Sequence, residues 1–417
     1  MRKLRKPVYF VAGSYTVSLG SGRSEFSPHK PRPGLEHYIQ EAGKAVLAQI
    51  PGKEQQVDEG VIGNFMAARF NHQAHLAALI PTIHPALLYK PCISVEGACA
   101  SGGLALTAAV KTVLSDLAEV VMAVGVEVQN TVKAMYCADY LSGAGHYASE
   151  RKTGDAYFFP GKFSERAGAY YAKFGKDKTR QAMAQWYVQA IEHARTCPQA
   201  QEYQNKSEDL LQLGLTPPNP KTFLENINLY DCSKVSDGAA AILCVSEEGL
   251  KKLEIPRDKA VQLVGFGQVE ADLTQRPDDL TKLTTSERSA AEAYRMSGAT
   301  AKQIGLLEVH DCFSITGLLM LEAAGFAQYG ESSEFVVAGR TKRGAELAVN
   351  TTGGLMGYGH PTGATGVRQM VDLWKQITEQ AGGSQVKLAD NRPYGMMINM
   401  GGNDRTVVSM IVQKATK

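Results

Sequence analysis

Over the first 130 residues, short apolar runs alternate with amphipathic or alanine-rich segments. The run from Val8 to Ala12, closed by Gly13, predicts a first strand. Leu35 to Ala48 predicts a helix, because Ile39, Ala42, Ala45, Val46 and Ile50 fall at helical spacing. Val61 to Gly63 follows as a short strand, and the Ala-rich stretch Phe65 to Leu79 predicts a second helix. Then come a strand at Cys92–Val95, a helix over 102–114 and a continuous apolar strand over 118–126. Unbroken apolar strands separated by helices predict a buried, mostly parallel sheet of the α/β class.

From about 131 to 228 the pattern changes. Tyrosine, glycine and charge rise, a polar helix is predicted from about Lys176 to Arg195, and a Pro-rich run follows at Leu215–Pro220. This stretch lacks a strong core pattern and reads as a large insertion covering something else. Its residues Tyr136, Tyr140 and Tyr147 either shape a pocket or pack the insertion itself. The strand signal returns at Ala239–Val245, after the turn Ser236-Asp237-Gly238. Further strands are predicted near 262–265, 307–310, 348–350, 396–399 and 407–412. One coarse repeat stands out: strand, small-residue corner and helix occur at 92–114 and again at 348–375. The first corner presents Cys99 and the second His360. Two such units packed face to face would bring the corners together.

Cys99 lies in Glu96-Gly97-Ala98-Cys99-Ala100-Ser101-Gly102-Gly103, where a strand turns into a helix. A thiol at a helix N-terminus faces free N–H donors, which is expected to lower its pKa and expose a thiolate nucleophile. Packing as a small buried hydrophobe is the alternative. The glycine-dense run Asn350–Gly366 requires unusual backbone angles or close contacts. A helix starting near Thr362 would leave His360 at its entrance, able to take a proton from a thiol or donate to an oxyanion. The run lacks the lysine of a phosphate-binding loop. Glu308-Val309-His310-Asp311-Cys312-Phe313 places a polar cluster directly after a strand. There His310 is either an oxyanion donor or a structural hydrogen-bonder, and Cys312 either an acid/base or filler. In Asn399-Met400-Gly401-Gly402 a strand ends in a glycine pair that either aims an N–H into a pocket or makes a plain turn.

Length and charge narrow the field. With 417 residues the chain is expected to form two or three domains. A net charge of +2 suggests no nucleic-acid partner. The basic start (Arg2, Lys3, Arg5, Lys6) is too brief for a signal or transit peptide, and no apolar stretch reaches membrane-span length. The seven cysteines are scattered and odd in number, which favours a reducing, cytoplasmic setting with free thiols. His72 and His75 have no third ligand nearby in sequence, so no metal site is expected.

Cys-Ala-Ser-Gly-Gly at 99–103, His-Asp-Cys-Phe at 310–313 and Gly-His-Pro-Thr-Gly-Ala-Thr-Gly at 359–366 resemble the thiolase superfamily. Ser236–Ala241 resembles the turn closing its N-terminal half, and Phe174–Ala194 is similar to its helical loop domain. Asn399-Met400-Gly401 stands where most thiolases carry a Cys-x-Gly motif. The His-Asp-Cys-Phe form is similar to the sterol-carrier-protein type, in which the cysteine of that motif takes over. The resemblance implies a five-layer αβαβα fold of two similar halves: 1–130 with 229–255, and 256–417. Residues 131–228 would form the inserted loop domain over the acyl-CoA.

By the same resemblance, Cys99 would form an acyl-enzyme and His360 would take its proton. His310 would replace the usual Asn of an oxyanion site, and Cys312 would move a proton on the second substrate. The backbone N–H groups of Cys99 and Gly401 would form a second oxyanion hole, and Gly359, Pro361 and Asn399 would contact substrate. The implied reaction is condensation of acyl-CoAs or thiolytic cleavage of a 3-ketoacyl-CoA, in lipid or fatty-acid metabolism. Coenzyme A and its thioesters are the expected partners, with no cofactor beyond them. A homodimer or homotetramer is implied, with an accessory subunit as an option. The competing readings are a ketoacyl-synthase-like condensing enzyme, an acetyltransferase to a non-CoA acceptor, and a non-catalytic acyl-CoA or lipid binder.

Overall fold

In the computed structural model, which describes residues 4–151 and 155–416, ten strands fall into two sets of five with one shared order. Arg2 and Lys3 of the basic start lie outside the described residues. The first set comprises β1 (Val8–Tyr15), β2 (Glu59–Gly63), β3 (Cys92–Val95), β4 (Val120–Val128) and β5 (Asp237–Ser246), ordered 3-2-4-5-1. The second comprises β6 (Val261–Glu270), β7 (Ile304–Val309), β8 (Ala348–Val349), β9 (Tyr394–Gly401) and β10 (Thr406–Lys414), ordered 6-10-9-7-8. Adding five to each strand number of the first set gives the second set read backwards. The sets meet where Tyr9 and Phe10 of β1 pair with Gln262 and Val261 of β6.

The sheet is mixed, not mostly parallel. β2 runs parallel to β3 and β4, and β7 to β8 and β9, while the other pairings are antiparallel. The connections explain this. β9 and β10 are joined by a tight turn, which only antiparallel strands allow. The excursion after β4 returns to its own starting point, because Val128 pairs with Asp237. Both faces of β4 are covered: all nine of its residues are buried, so no polar alternation marks it.

Helices fill the layers between and outside the two sets. Helix α1 (Leu35–Leu47) packs on the outer face of the first set. Helices α2 (Ser101–Leu114) and α8 (Thr365–Ile377) lie between the sets, joined in one apolar core with Phe10, Ile242, Val408 and Met410. The insertion supplies α3 (Ala134–Leu141), α4 (Phe158–Phe174) and α5 (Lys176–Ala194). Helices α6 (Thr284–Ser297) and α7 (Ser314–Ala323) cover the outer face of the second set. The layers therefore follow the five-layer αβαβα order that the resemblance implies. Among the described residues, no helix is long and apolar enough to cross a membrane.

The helix expected over Phe65–Leu79 does not form. The chain makes one turn at Ala67–Phe70 and a 3-10 stretch at Leu76–Thr82, with His72 and His75 exposed at left-handed φ angles of 54° and 59°. The buried Glu127 carboxylate takes the N–H groups of Phe65 and Met66, and the Asn64 side chain accepts from Ala67. These acceptors cap N–H groups that a helix start leaves free; the helix is lost further on, where it ends after Phe70 and His72 and His75 take left-handed angles.

Helices α2 and α8 begin almost in contact. A Cβ on Gly366 would sit 2.2 Å from the Gly103 nitrogen, and one on Gly102 would sit 2.7 Å from the Gly366 nitrogen. Backbone at such distance cannot yield as a flexible side chain can. Gly366→Ala is therefore expected to cost at least about 3 kcal/mol, at the top of the range for overpacking. Gly298→Ala, at φ +74° with open space around it, should cost only about 1–2 kcal/mol. Urea unfolding midpoints of both variants check this; equal shifts would contradict the close-contact account.

Candidate active site

β3 delivers Cys99 through a strained elbow. Ala98 has a φ of 53°, unusual for a residue with a side chain. Three bonds hold it there. Ser101 Oγ accepts from Gly97 N–H at 3.0 Å and donates to the Ala98 carbonyl at 2.6 Å, and Glu96 accepts from Ala98 N–H at 2.6 Å. Cys99 falls in a 3-10 turn (Ala98–Ala100) ahead of α2. Helix α8 starts at Thr365, three residues later than expected. His360 precedes it, with its backbone N–H on Ser236 Oγ and its carbonyl on Gln129 Nε2.

The corners meet. The potential ligand atoms of Cys99, His310 and His360 all lie within 4.8 Å of one another. The two imidazole rings stand edge to face, with centroids 5.0 Å apart.

Hydrogen bonds assign opposite tautomers to the two histidines. Thr365 Oγ1 donates its proton to the Pro361 carbonyl, so its lone pairs accept from His360 Nδ1–H at 2.7 Å. His360 Nε2 therefore carries a free lone pair, and it is buried with no partner. Gly103 N–H donates to Asn399 Oδ1 at 2.9 Å, which fixes the orientation of that amide. Asn399 Nδ2 then donates to the Cys99 carbonyl at 3.0 Å and to His310 Nδ1 at 3.3 Å. His310 thus keeps its proton on Nε2. The pocket receives one imidazole acceptor and one imidazole donor.

Burial keeps the cluster uncharged. It pushes the Cys99 thiol up to about 12, with the Glu127 charge adding to the rise, while backbone N–H groups of Gly402 and of Cys99 itself pull the other way. Burial also lowers His360 to about 3, with a further contribution from the Arg368 charge. His310 is lowered well below its ordinary value, first by burial and then by the charges of His360 and Arg368. The expectation that the helix N-terminus lowers the Cys99 pKa fails, because desolvation outweighs two N–H dipoles. Cys312 shares the cavity, with Sγ 3.9 Å from Thr316 Oγ1, and burial lifts its pKa well above the ordinary range.

Other expected contacts move. The N–H aimed at the Cys99 sulfur belongs to Gly402, not Gly401, whose backbone sits in β9 paired with Thr406. Gly402 lines the cavity; Gly401, Gly359, Pro361 and Asn399 do not. Gly359 (φ +112°) packs against Ser18 and Ser236, where a Cβ would lie 2.1 Å from Ser18 Oγ. Pro361 borders a separate hollow, and Asn399 works behind the cysteine. Of the tyrosines, Tyr136 and Tyr147 are exposed and Tyr140 packs under Arg69 and against Phe70. Helix α3 reaches the cavity through Cys137, Ala138 and Leu141 instead.

Two buried carboxylates hold the loops in place. Glu127 accepts from Asn64, Phe65, Met66, Thr362 and Gly363, clamping the chain after β2 to the start of α8. Asp311 accepts from Trp186 Nε1 and Leu355 N–H, and burial raises it to about 6. Glu127 has a sequence signal, the one charge in an otherwise apolar strand. Gln129, which ties His360 to Ser236, has none.

Two family descriptions cover most of the chain: "Thiolase, N-terminal domain" matches residues 34–248, and "Thiolase C-terminal domain-like" matches 267–414. An acetyl-CoA acetyltransferase of Methanothermobacter thermautotrophicus is 32% identical over 378 residues, covering 90% of this chain and 94% of that protein. Human sterol carrier protein 2 is 26% identical over 415 residues, covering 94% of this chain and 71% of that protein. Among solved structures, human mitochondrial 3-ketoacyl-CoA thiolase superposes with a TM-score of 0.70 at 17% identity, covering 99% of this chain and 100% of that one.

A thiol held near 12 is almost wholly protonated at neutral pH, and its thiolate fraction grows tenfold per pH unit. Iodoacetamide labelling of Cys99, followed by peptide mapping, should accelerate steadily from pH 7 to 10 without a plateau. With His360 titrating near 3, no second break should interrupt that slope above about pH 5. A plateau below pH 8 would instead indicate a resting thiolate–imidazolium pair.

Proposed function

The chain belongs to the thiolase family, and from that premise we propose that it transfers acyl groups between coenzyme A thioesters through a covalent thioester on Cys99. One observation carries this reading: a ring nitrogen of His360 lies within 4.8 Å of the Cys99 sulfur, and the Nε2 of that ring is buried with no hydrogen-bond partner. An unsatisfied buried acceptor beside a thiol is costly in a structural site and useful in a catalytic one.

The first half-reaction follows from these groups. Cys99 Sγ attacks the thioester carbonyl while its proton passes to His360 Nε2. Both groups are neutral at rest, so proton loss accompanies attack. The tetrahedral oxygen accepts from N–H groups at the elbow, those of Cys99 and Gly402. Each such donor contributes about 3 kcal/mol in the transition state. The carbon–sulfur bond to coenzyme A breaks, the leaving thiolate takes the proton from His360, and acyl-Cys99 remains.

In the second half-reaction the His310 Nε2–H donates to the thioester oxygen of the incoming substrate. In condensation Cys312 relays the α-carbon proton to the departing Cys99 thiolate; in thiolysis acyl-Cys99 forms instead by cleavage of the C2–C3 bond of a 3-ketoacyl-CoA, Cys312 protonates the departing α-carbon and then takes the proton of the incoming coenzyme A thiol. The α-carbon or the thiol sulfur then attacks acyl-Cys99 and frees the enzyme. This assignment gives one task each to Cys99 and Cys312, two of the four thiols that line the cavity. It favours thiolase chemistry over a ketoacyl synthase, which needs one thiol only, and over a binder, which needs none.

Cys99→Ala should abolish the acyl adduct seen by intact mass after incubation with acyl-CoAs, and reduce turnover at least about 10³-fold. Cys312→Ala should still form the adduct but fail to pass it on. An adduct retained in Cys99→Ala overturns the nucleophile; equal loss of both half-reactions in Cys312→Ala overturns the proton-carrier role.

A further inference from the structure

The cavity that contains Cys99 measures about 170 Å³, and apolar side chains dominate its surface. Beyond the catalytic groups its wall is built from Cys137, Ala138, Leu141, Phe159, Phe163 and Phe313. Phe163 and Phe313 stack on each other, with ring centroids 4.4 Å apart and planes 21° from parallel. Two further thiols, Cys137 and Cys232, complete the lining. Burial pushes Cys137 up to about 12 and Cys232 well above the ordinary thiol range, so both act as small neutral hydrophobes. Lys234, the one cationic side chain among the described lining residues, is already paired with Glu202.

An acetyl group offers such a wall almost nothing. Its single methyl would leave most of the cavity without partner atoms, and unfilled apolar space forfeits dispersion contacts. A dry apolar cavity of roughly 150 Å³ takes up benzene. The cavity is open on one side, so a twelve-carbon chain, with twice the carbons of that ring, would leave much of its length outside the apolar wall. The volume therefore matches a compact acyl group of six or seven carbons.

We propose that this site is specific for a ring-sized apolar acyl group, benzoyl or cyclohexanecarbonyl in shape, carried as a coenzyme A thioester, and that Ala138 and Leu141 on α3 set its size. The proposal rests on the acyl-transfer reading above. Cys99 attacks as before, and the ring carbons occupy the space enclosed by α3 and the start of α4. Each additional buried methylene is worth about fourfold in binding until the cavity is full. Selection thus climbs from acetyl through hexanoyl and the ring acyl groups, then falls for lauroyl.

The test is the rate of Cys99 acylation by acetyl-, butyryl-, hexanoyl-, cyclohexanecarbonyl-, benzoyl- and lauroyl-CoA, read by intact mass. Hexanoyl or a ring acyl group should exceed acetyl and lauroyl by at least tenfold. Ala138→Phe, at a half-buried position that tolerates bulk, should cut the ring-to-acetyl ratio at least tenfold. Leu141→Ala should shift the optimum to larger acyl groups. Acetyl-CoA reacting as fast as any other donor, or ratios unmoved in both variants, would overturn the size assignment and leave acyl transfer standing. Failure of every thioester to acylate Cys99 would remove the acyl-transfer reading and this proposal with it.

Discussion

Two buried helices start against each other with no side chain between them. The Gly102–Gly103 pair opening α2 and the Gly363–Gly366 segment opening α8 approach to backbone contact. Everything chemical in the protein depends on that approach. Cys99 sits just before one helix and His360 just before the other, so any spacer between the helices would separate thiol from base. The contact is repeated outward. Gly63 lies over the Ser101 carbonyl, and Gly125 lies over the Gly363 carbonyl, which fits both helix starts against the first sheet. The glycines pay an entropic cost in the unfolded chain. They offset it by permitting an arrangement no larger residue allows.

Asn399 occupies the remaining gap. From β9 it accepts from the first turn of α2, supports the Cys99 carbonyl and fixes the tautomer of His310. One amide therefore ties β9 to the start of α2, holds the Cys99 carbonyl and decides which histidine is a donor. Arg368 supplies the field behind the site. It is buried between Asp372 and Glu308 and lies over the Tyr358 ring, and its charge helps keep both imidazoles neutral. A buried ion network of this sort is a weak source of stability. Its position at the base of α8 gives it an electrostatic role.

The elements with continuous apolar runs were legible along the chain. β5, β9 and β10 stand where their hydrophobic segments predict, each extended by a residue or more, and β4 lies two residues further along than its segment. Helices α1, α2 and α5 follow their periodicity. The Phe65–Leu79 stretch was not legible, because its alanine content gives no sign of the left-handed turns at His72 and His75 that interrupt it. Sheet direction was equally hidden. Strand sequences look alike in parallel and antiparallel ladders when both faces are buried, and the return of the chain at Asp237 is a long-range event.

Candidate chemistry divides along the same line. Cys99 and His360 could be singled out at their glycine corners, whereas roles for His310 and Cys312 came only from the resemblance of the His-Asp-Cys-Phe motif. Local sequence also supplied the wrong sign for the Cys99 pKa, since it shows the helix start but not the depth of burial. The choice of Gly402 over Gly401 and the placement of Gly359, Pro361 and Asn399 outside the cavity depend on ångström-scale positions. So do the tautomers and the cavity's volume. The sequence by itself determined which groups are available and which backbone turns present them. Tertiary structure alone decided their protonation, their partners and the space around them, because desolvation and hydrogen-bond geometry are properties of surroundings assembled from residues hundreds of positions apart.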